Sequence, residues 1–80
     1  MDGISEDEIR ALLSEKLADV QLEMVVEGNK LSLTAVSPSF EGLNRVKRQQ
    51  LVYSLLNDKI ASGEIHAVTM KTVTPQEAGN

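Results

Sequence analysis

The spacing of apolar positions changes period several times along the chain. Ile9, Leu12, Leu13 and Leu17 recur at helical intervals and leave Glu6, Arg10 and Glu15 for water. Ahead of them Ser5 and Glu8 stand at capping-box spacing, Ser5 placed to accept from the third helical N–H and Glu8 to reach back. Ile4 and Ile9 bracket the cap at hydrophobic-staple spacing. The pattern predicts a helix from about Glu6 to Ala18. Val20, Leu22, Met24 and Val26 then alternate with Gln21 and Glu23, and Leu31, Leu33 and Ala35 alternate with Ser32 and Thr34. Alternation is the period of a strand with one buried face. Between these runs lies Glu27-Gly28-Asn29-Lys30, whose Gly28-Asn29 suits a two-residue turn needing a positive φ, so the pair is read as a β-hairpin.

Ser37-Pro38-Ser39 breaks the alternation, because proline donates nothing to a ladder. A longer helix is expected from about Asn44 to Ser62, with Val46, Val52, Tyr53, Leu56 and Ile60 in one apolar arc and Gly63 ending it. Glu64 to Val73 reads as a third strand, Val68 and Met70 on one face, Ala67, Thr69 and Lys71 on the other. Thr74-Pro75-Gln76-Glu77 resembles the opening of a further helix that the chain is too short to complete. The order is α-β-β-α-β. A right-handed crossover through the second helix makes the third strand parallel to the second. The expected fold is α+β: a two-layer sandwich with both helices on one face of a three-stranded mixed sheet.

Composition sharpens this picture. Eighty residues make one domain, read here as residues 1–80, near the lower limit for independent folding; such a chain buries roughly 60% of its unfolded surface. Phe40 and Tyr53 are the only aromatic residues, so the core rests on aliphatic side chains. No cysteine is present, which removes disulfides, thiol nucleophiles and cysteine-based metal sites from this chain alone and fits a reducing compartment. An acidic start unlike a signal peptide, and apolar runs of only a few residues, give the expectation of a cytoplasmic protein without a membrane span. The net charge of −4 opposes non-specific attraction to nucleic acid.

Catalytic chemistry finds little support. There is one histidine, no phosphate-cradling glycine loop, and no nucleophile paired with a base. Glu6, Asp7 and Glu8 are adjacent carboxylates at a helix start, where acidic side chains complement the dipole. The expectation is a binding protein, not an enzyme. His66 is the most informative residue. A lone histidine at a strand start is ordinarily structural; its parity with Val68 and Met70 leans its ring toward the helix side at the end of the sheet. One imidazole also offers a ligand nitrogen, but the further donors a metal needs are not visible here, so a metal group would be shared with a partner. Arg45, Lys47 and Arg48 cluster at the start of the second helix, Arg45 and Arg48 on the flank where Lys59 joins them nearly three turns on. A solvated flank is the plain reading, yet cations there oppose the macrodipole by about 0.3–1 kcal/mol apiece, which argues for something negative facing them. Gln49 falls inside the apolar arc, either as a satisfied inner group or as part of a docking face.

Two blocks bear a family likeness. Phe40-Glu41-Gly42-Leu43-Asn44-Arg45-Val46-Lys47-Arg48-Gln49-Gln50-Leu51-Val52-Tyr53 resembles the central block of BolA-family proteins, and Ile65-His66-Ala67-Val68-Thr69-Met70-Lys71-Thr72-Val73-Thr74-Pro75-Gln76-Glu77 their closing block. With the α-β-β order the resemblance covers nearly the whole chain, in the manner of the short, acid-stress-associated bacterial branch. It implies a KH-like fold and partnership with a monothiol glutaredoxin, a monomer alone and a heterodimer with its partner. In such pairs a [2Fe–2S] cluster is bridged between the glutaredoxin cysteine, a glutathione thiol and BolA-type side chains, and the family's closing-block histidine matches His66. Imidazole must be deprotonated to bind, so capture weakens as pH falls. The isolated chain is expected to hold no cofactor. Many relatives carry a second ligand, histidine or cysteine, in the loop joining the first two strands; Glu27-Gly28-Asn29-Lys30 holds neither. Gln49 stands where a histidine is common, and Ala78 where a tryptophan closes the block. The KH-like fold also implies a rival role as a DNA-binding transcriptional regulator of stress response, with Arg45, Lys47, Arg48 and Lys71 as phosphate contacts. Gly42-Leu43-Asn44-Arg45 is the nearest match to a Gly-x-x-Gly clamp and ends in arginine.

Overall fold

The computed structural model describes residues 4–79. Helix α1 spans Glu6–Lys16, capped by Ser5, whose hydroxyl accepts from the Glu8 amide at 3.3 Å. Ile4 packs half-buried against a core that contains the fully buried Ile9, as the staple spacing predicted. The other half of the box is not made. Among the described residues the Glu8 carboxylate goes to Lys59 instead, a longer-range tie between helices. The helix also stops two residues short of Ala18. Leu17 turns into the extended region and buries its side chain, while both backbone groups of Ala18 are taken by serines: Ser39 Oγ accepts from its N–H (3.0 Å) and Ser37 Oγ donates to its carbonyl (2.6 Å). Asp19 then reverses the chain at a φ of 45°.

Strand β1 (Gln21–Glu27) pairs antiparallel with β2 (Lys30–Val36), and the register ends on Glu27 opposite Lys30. That register leaves a two-residue turn with Gly28 at a φ of 59°, the first central position, where glycine meets no steric penalty. Strand β3 (Ala67–Val73) lies parallel to β2, giving the order β1-β2-β3 with β2 in the centre. Paired residues share a face, so Leu31, Leu33 and Ala35 carry Val68, Met70 and Thr72 to the same side. That side meets Ile9, Leu13, Val52 and Leu56 in one buried cluster, which puts both helices on a single face. Across the sheet, Glu23, Val25, Ser32, Thr69 and Lys71 are exposed.

Ser37-Pro38-Ser39 does more than interrupt the pattern. Pro38–Phe40 form a 3₁₀ turn capped by Ser37 and bury Phe40 completely. The expected single helix of 44–62 is two: α2 (Arg45–Leu55), capped by Asn44 on the Lys47 amide, and α3 (Asn57–Ala61). The break falls at Leu56, whose φ/ψ of −98°/5° leave the helical region and whose amide is shared between the Val52 and Tyr53 carbonyls. Leu56 stays fully buried, and the change of direction after it lets Ile60 pack against the same core. Three members of the expected arc, Val52, Leu56 and Ile60, face the core, and two do not. Arg48, Val52 and Leu56 run inward at four-residue spacing, whereas Val46 and Tyr53 are 59% and 41% exposed. Gly63, at a φ of 86°, ends α3 as expected. Beyond β3, Thr74 to Glu77 form one turn with a reciprocal box: Thr74 Oγ1 accepts from the Glu77 amide (3.1 Å) and Glu77 Oε1 from the Thr74 amide (3.0 Å). No helix among the described residues is long and apolar enough to cross a membrane.

Candidate functional site

His66 occupies the position just before β3, at the end of the sheet where the β1–β2 turn lies. The two segments are cross-tied. The His66 amide donates to the Asn29 carbonyl at 2.8 Å, the Ala67 amide donates to the same oxygen at 3.4 Å, and Asn29 Nδ2 donates to the Glu64 carbonyl at 3.0 Å. The strand consequently begins later than the expected Glu64, because Glu64 and Ile65 are held in the turn leaving α3, where the Ile65 amide donates to the Lys59 carbonyl. A Cβ added at Gly63 would come within 3.8 Å of His66 Nε2, so the ring lies over the end of α3. That is the helix side, as strand parity predicted, but the residue is exposed and its ring makes no hydrogen bond among the described residues. A rigid backbone thus presents an open imidazole. Among the described residues no group of three or more His, Cys, Asp or Glu side chains stands together to hold a metal ion.

Behind this end, Lys59 joins the helices. Its ammonium pairs with the Glu8 carboxylate and, at 3.5 Å, with Glu64 Oε1. The hydrogen bond to Glu8 raises the Lys59 pKa against the opposing effect of desolvation. Glu64 Oε2 is buried with no partner among the described residues. Lys59 therefore does not join Arg45 and Arg48 on a basic flank; the break at Leu56 carries it toward α1.

The basic cluster itself divides. Arg48 is only 13% exposed: its Nε donates to the Leu43 carbonyl (2.7 Å), one guanidinium nitrogen to the Thr72 carbonyl (3.2 Å), and the fork grips Glu77 bidentately at 2.6 and 3.1 Å. This occupied guanidinium is a structural tie between the two blocks, not the open phosphate contact that the KH-like reading expected. Lys47 is exposed. Arg45, the half-buried Gln49 and Lys71 line, together with Met70, a groove of about 300 Å³ between α2 and β3. It lies toward the Val73 end of β3, away from His66.

Asn29 and Glu77 were not singled out from the sequence as site residues. In the sequence Asn29 is only a turn former and Glu77 only the last residue of a helix-opening signal; the Glu64 carbonyl that Asn29 bonds and the Arg48 that Glu77 pairs with lie more than twenty-five residues away.

Three helices and a three-stranded mixed sheet in the order β1-β2-β3, with a lone histidine leading the parallel strand, define a small α+β class. The family model described as BolA-like protein matches residues 13–77, and the chain belongs to the BolA family. It is 38% identical over 71 residues to the acid stress protein IbaG of Escherichia coli K12, covering 89% of this chain and 84% of that one. Among solved structures, BolA1 from Arabidopsis thaliana superposes with a TM-score of 0.81 at 31% identity, covering 92% of this chain and 98% of the other. The BolA domain of SufE1 from the same plant gives 0.75 at 31% identity, with 94% and 99% covered.

Proposed function

We propose that the chain is a non-catalytic adaptor that docks on a monothiol glutaredoxin and shares a [2Fe–2S] cluster with it and with glutathione, His66 supplying the nitrogen ligand, in cluster assembly, trafficking or iron regulation. The observation that carries this reading is the exposed imidazole on a backbone pinned by Asn29. A single neutral nitrogen suits a site whose remaining donors come from the partner, and histidine ligation is known to retune [2Fe–2S] centres. The absence of histidine and cysteine from Glu27-Gly28-Asn29-Lys30 leaves His66 as the family-type ligand of this chain. The second reading, DNA binding, retains Arg45, Lys47 and Lys71 but loses Arg48 to Glu77.

Anaerobic mixing with a cluster-loaded monothiol glutaredoxin tests the adaptor. Visible absorption and circular dichroism are followed together with the mass of the complex. A one-to-one complex with altered cluster spectra, reverting on His66→Ala, supports ligation. A complex with unchanged spectra removes the ligand role, and no complex removes the adaptor. DNA binding separates by salt, since phosphate contacts weaken steeply with ionic strength.

A further inference from the structure

Helix α2 combines two features with no role in the His66 end of the molecule. It carries Arg45, Lys47 and Arg48 and no acidic residue, in a chain whose net charge is −4. Its outer face also exposes Val46 and Tyr53, seven residues apart and two turns from each other on one side of the helix, with Gln49 and Gln50 between them. Arg45 and Lys47 flank Val46 in the first turn, and Lys71, exposed on the edge strand β3, borders the groove that Arg45, Gln49 and Met70 also line. Among the described residues Arg45, Lys47 and Lys71 make no ion pair, whereas Arg48 and Lys59 do.

From this arrangement we infer that the Val46–Tyr53 pair and the adjoining groove form a second docking surface, for an acidic segment of a protein partner that carries an apolar anchor. Carboxylates of that segment meet Arg45, Lys47 and Lys71, and its apolar side chain packs between Val46 and Tyr53. Charge complementarity selects an acidic partner, and the apolar pair selects protein over nucleic acid: an exposed valine between two cations places a methyl surface where phosphates would lie. Of the two aromatic rings Phe40 is fully buried, which leaves Tyr53 for stacking bases. Lys71 stands five strand residues from His66, about 16 Å at a strand rise of 3.3 Å per residue. The proposed surface is therefore distinct from the His66 end.

The test maps amide chemical shifts of the whole chain on titration with a synthetic peptide of Asp, Glu and Leu. An uncharged Gln/Ser peptide and a short DNA duplex are run in parallel. The expected result is perturbation confined to Arg45–Tyr53 and Met70–Val73, with His66 unmoved. Val46→Ser and, separately, Lys71→Glu then weaken the acidic peptide roughly tenfold, the scale of about 1.4 kcal/mol at a docking anchor, while melting curves stay at the wild-type temperature. The inference is overturned if the acidic peptide shifts nothing, if Val46→Ser binds it as tightly as wild type, or if DNA perturbs this surface and the peptide does not. None of these readouts involves a cluster or a glutaredoxin, so the outcome is independent of the adaptor reading.

Discussion

Arg48 and Glu77 lie twenty-nine residues apart and meet in a bidentate ion pair of 2.6 and 3.1 Å, the arginine thirteen-per-cent and the glutamate half exposed. This contact fastens the start of α2 to the turn that follows β3. The Thr74 box holds the carboxylate in place from the other side.

That arrangement gives a pH dependence. The Arg48 hydrogen bonds, followed by the Thr74 amide, lower the Glu77 pKa from 4.5 to about 2. A carboxyl depressed in the folded state contributes stability above its unfolded value and loses it as pH falls from about 4.5 to about 2. Because Glu77 is half exposed, salt screening trims the effect. Thermal melts of wild type and Glu77→Gln are therefore expected to differ at pH 6 and to converge at pH 2, with a smaller gap in high salt. A constant gap across that range would show that Glu77 acts through shape and not charge.

The helical break at Leu56 supplies a stability contrast. Leu56→Ala empties a fully buried site and is expected to cost about 2–5 kcal/mol in denaturant unfolding. Tyr53→Ser, on the exposed face of α2, should stay within about 0.5 kcal/mol of wild type. Comparable losses at both positions would restore the arc drawn from helical spacing.

Much of the fold was legible because local patterns coincided with global packing. The hairpin register followed from strict alternation around Gly28-Asn29, and strand parity placed Val68, Met70 and His66 on the helix side. The second helix was harder. Spacing alone put Val46 and Tyr53 inside, since a helical wheel rewards apolar residues and gives no credit to an arginine. Arg48 nonetheless turns inward, its guanidinium satisfied by two carbonyls and Glu77, and that rotates the buried stripe by one row. Likewise His66 was evident as a residue, whereas the clamp that holds it was not. Asn29 reaches Glu64 across thirty-five residues, a pairing that depends on parallel register and leaves no local signature.

The clamp predicts a graded effect. Asn29→Ala removes the Nδ2 bond to the Glu64 carbonyl but keeps the backbone carbonyl that accepts from His66. Loss of one such bond is expected to cost about 1 kcal/mol. Hydrogen exchange should accelerate at the His66 and Ala67 amides more than at Leu33 in the central strand. If exchange rises uniformly instead, the turn contributes to global stability and not to the fixing of His66.

Ser37 makes a sharper case, because it is fully buried and uses its hydroxyl in both directions. It donates to the Ala18 carbonyl at 2.6 Å and accepts from the Ser39 amide at 3.1 Å. Ser37→Ala removes the partner of a carbonyl and of an amide in one step, both only partly buried, at a cost of about 1 kcal/mol for each bond lost. Ser37→Thr retains the hydroxyl but adds a methyl to a filled site, so it tests packing separately. If the hydroxyl is what ends α1, the alanine variant should lose stability and let exchange protection change around Leu17 to Asp19, where the helix now stops. An alanine variant as stable as wild type, with those amides unaltered, would show that Leu17 burial alone terminates the helix.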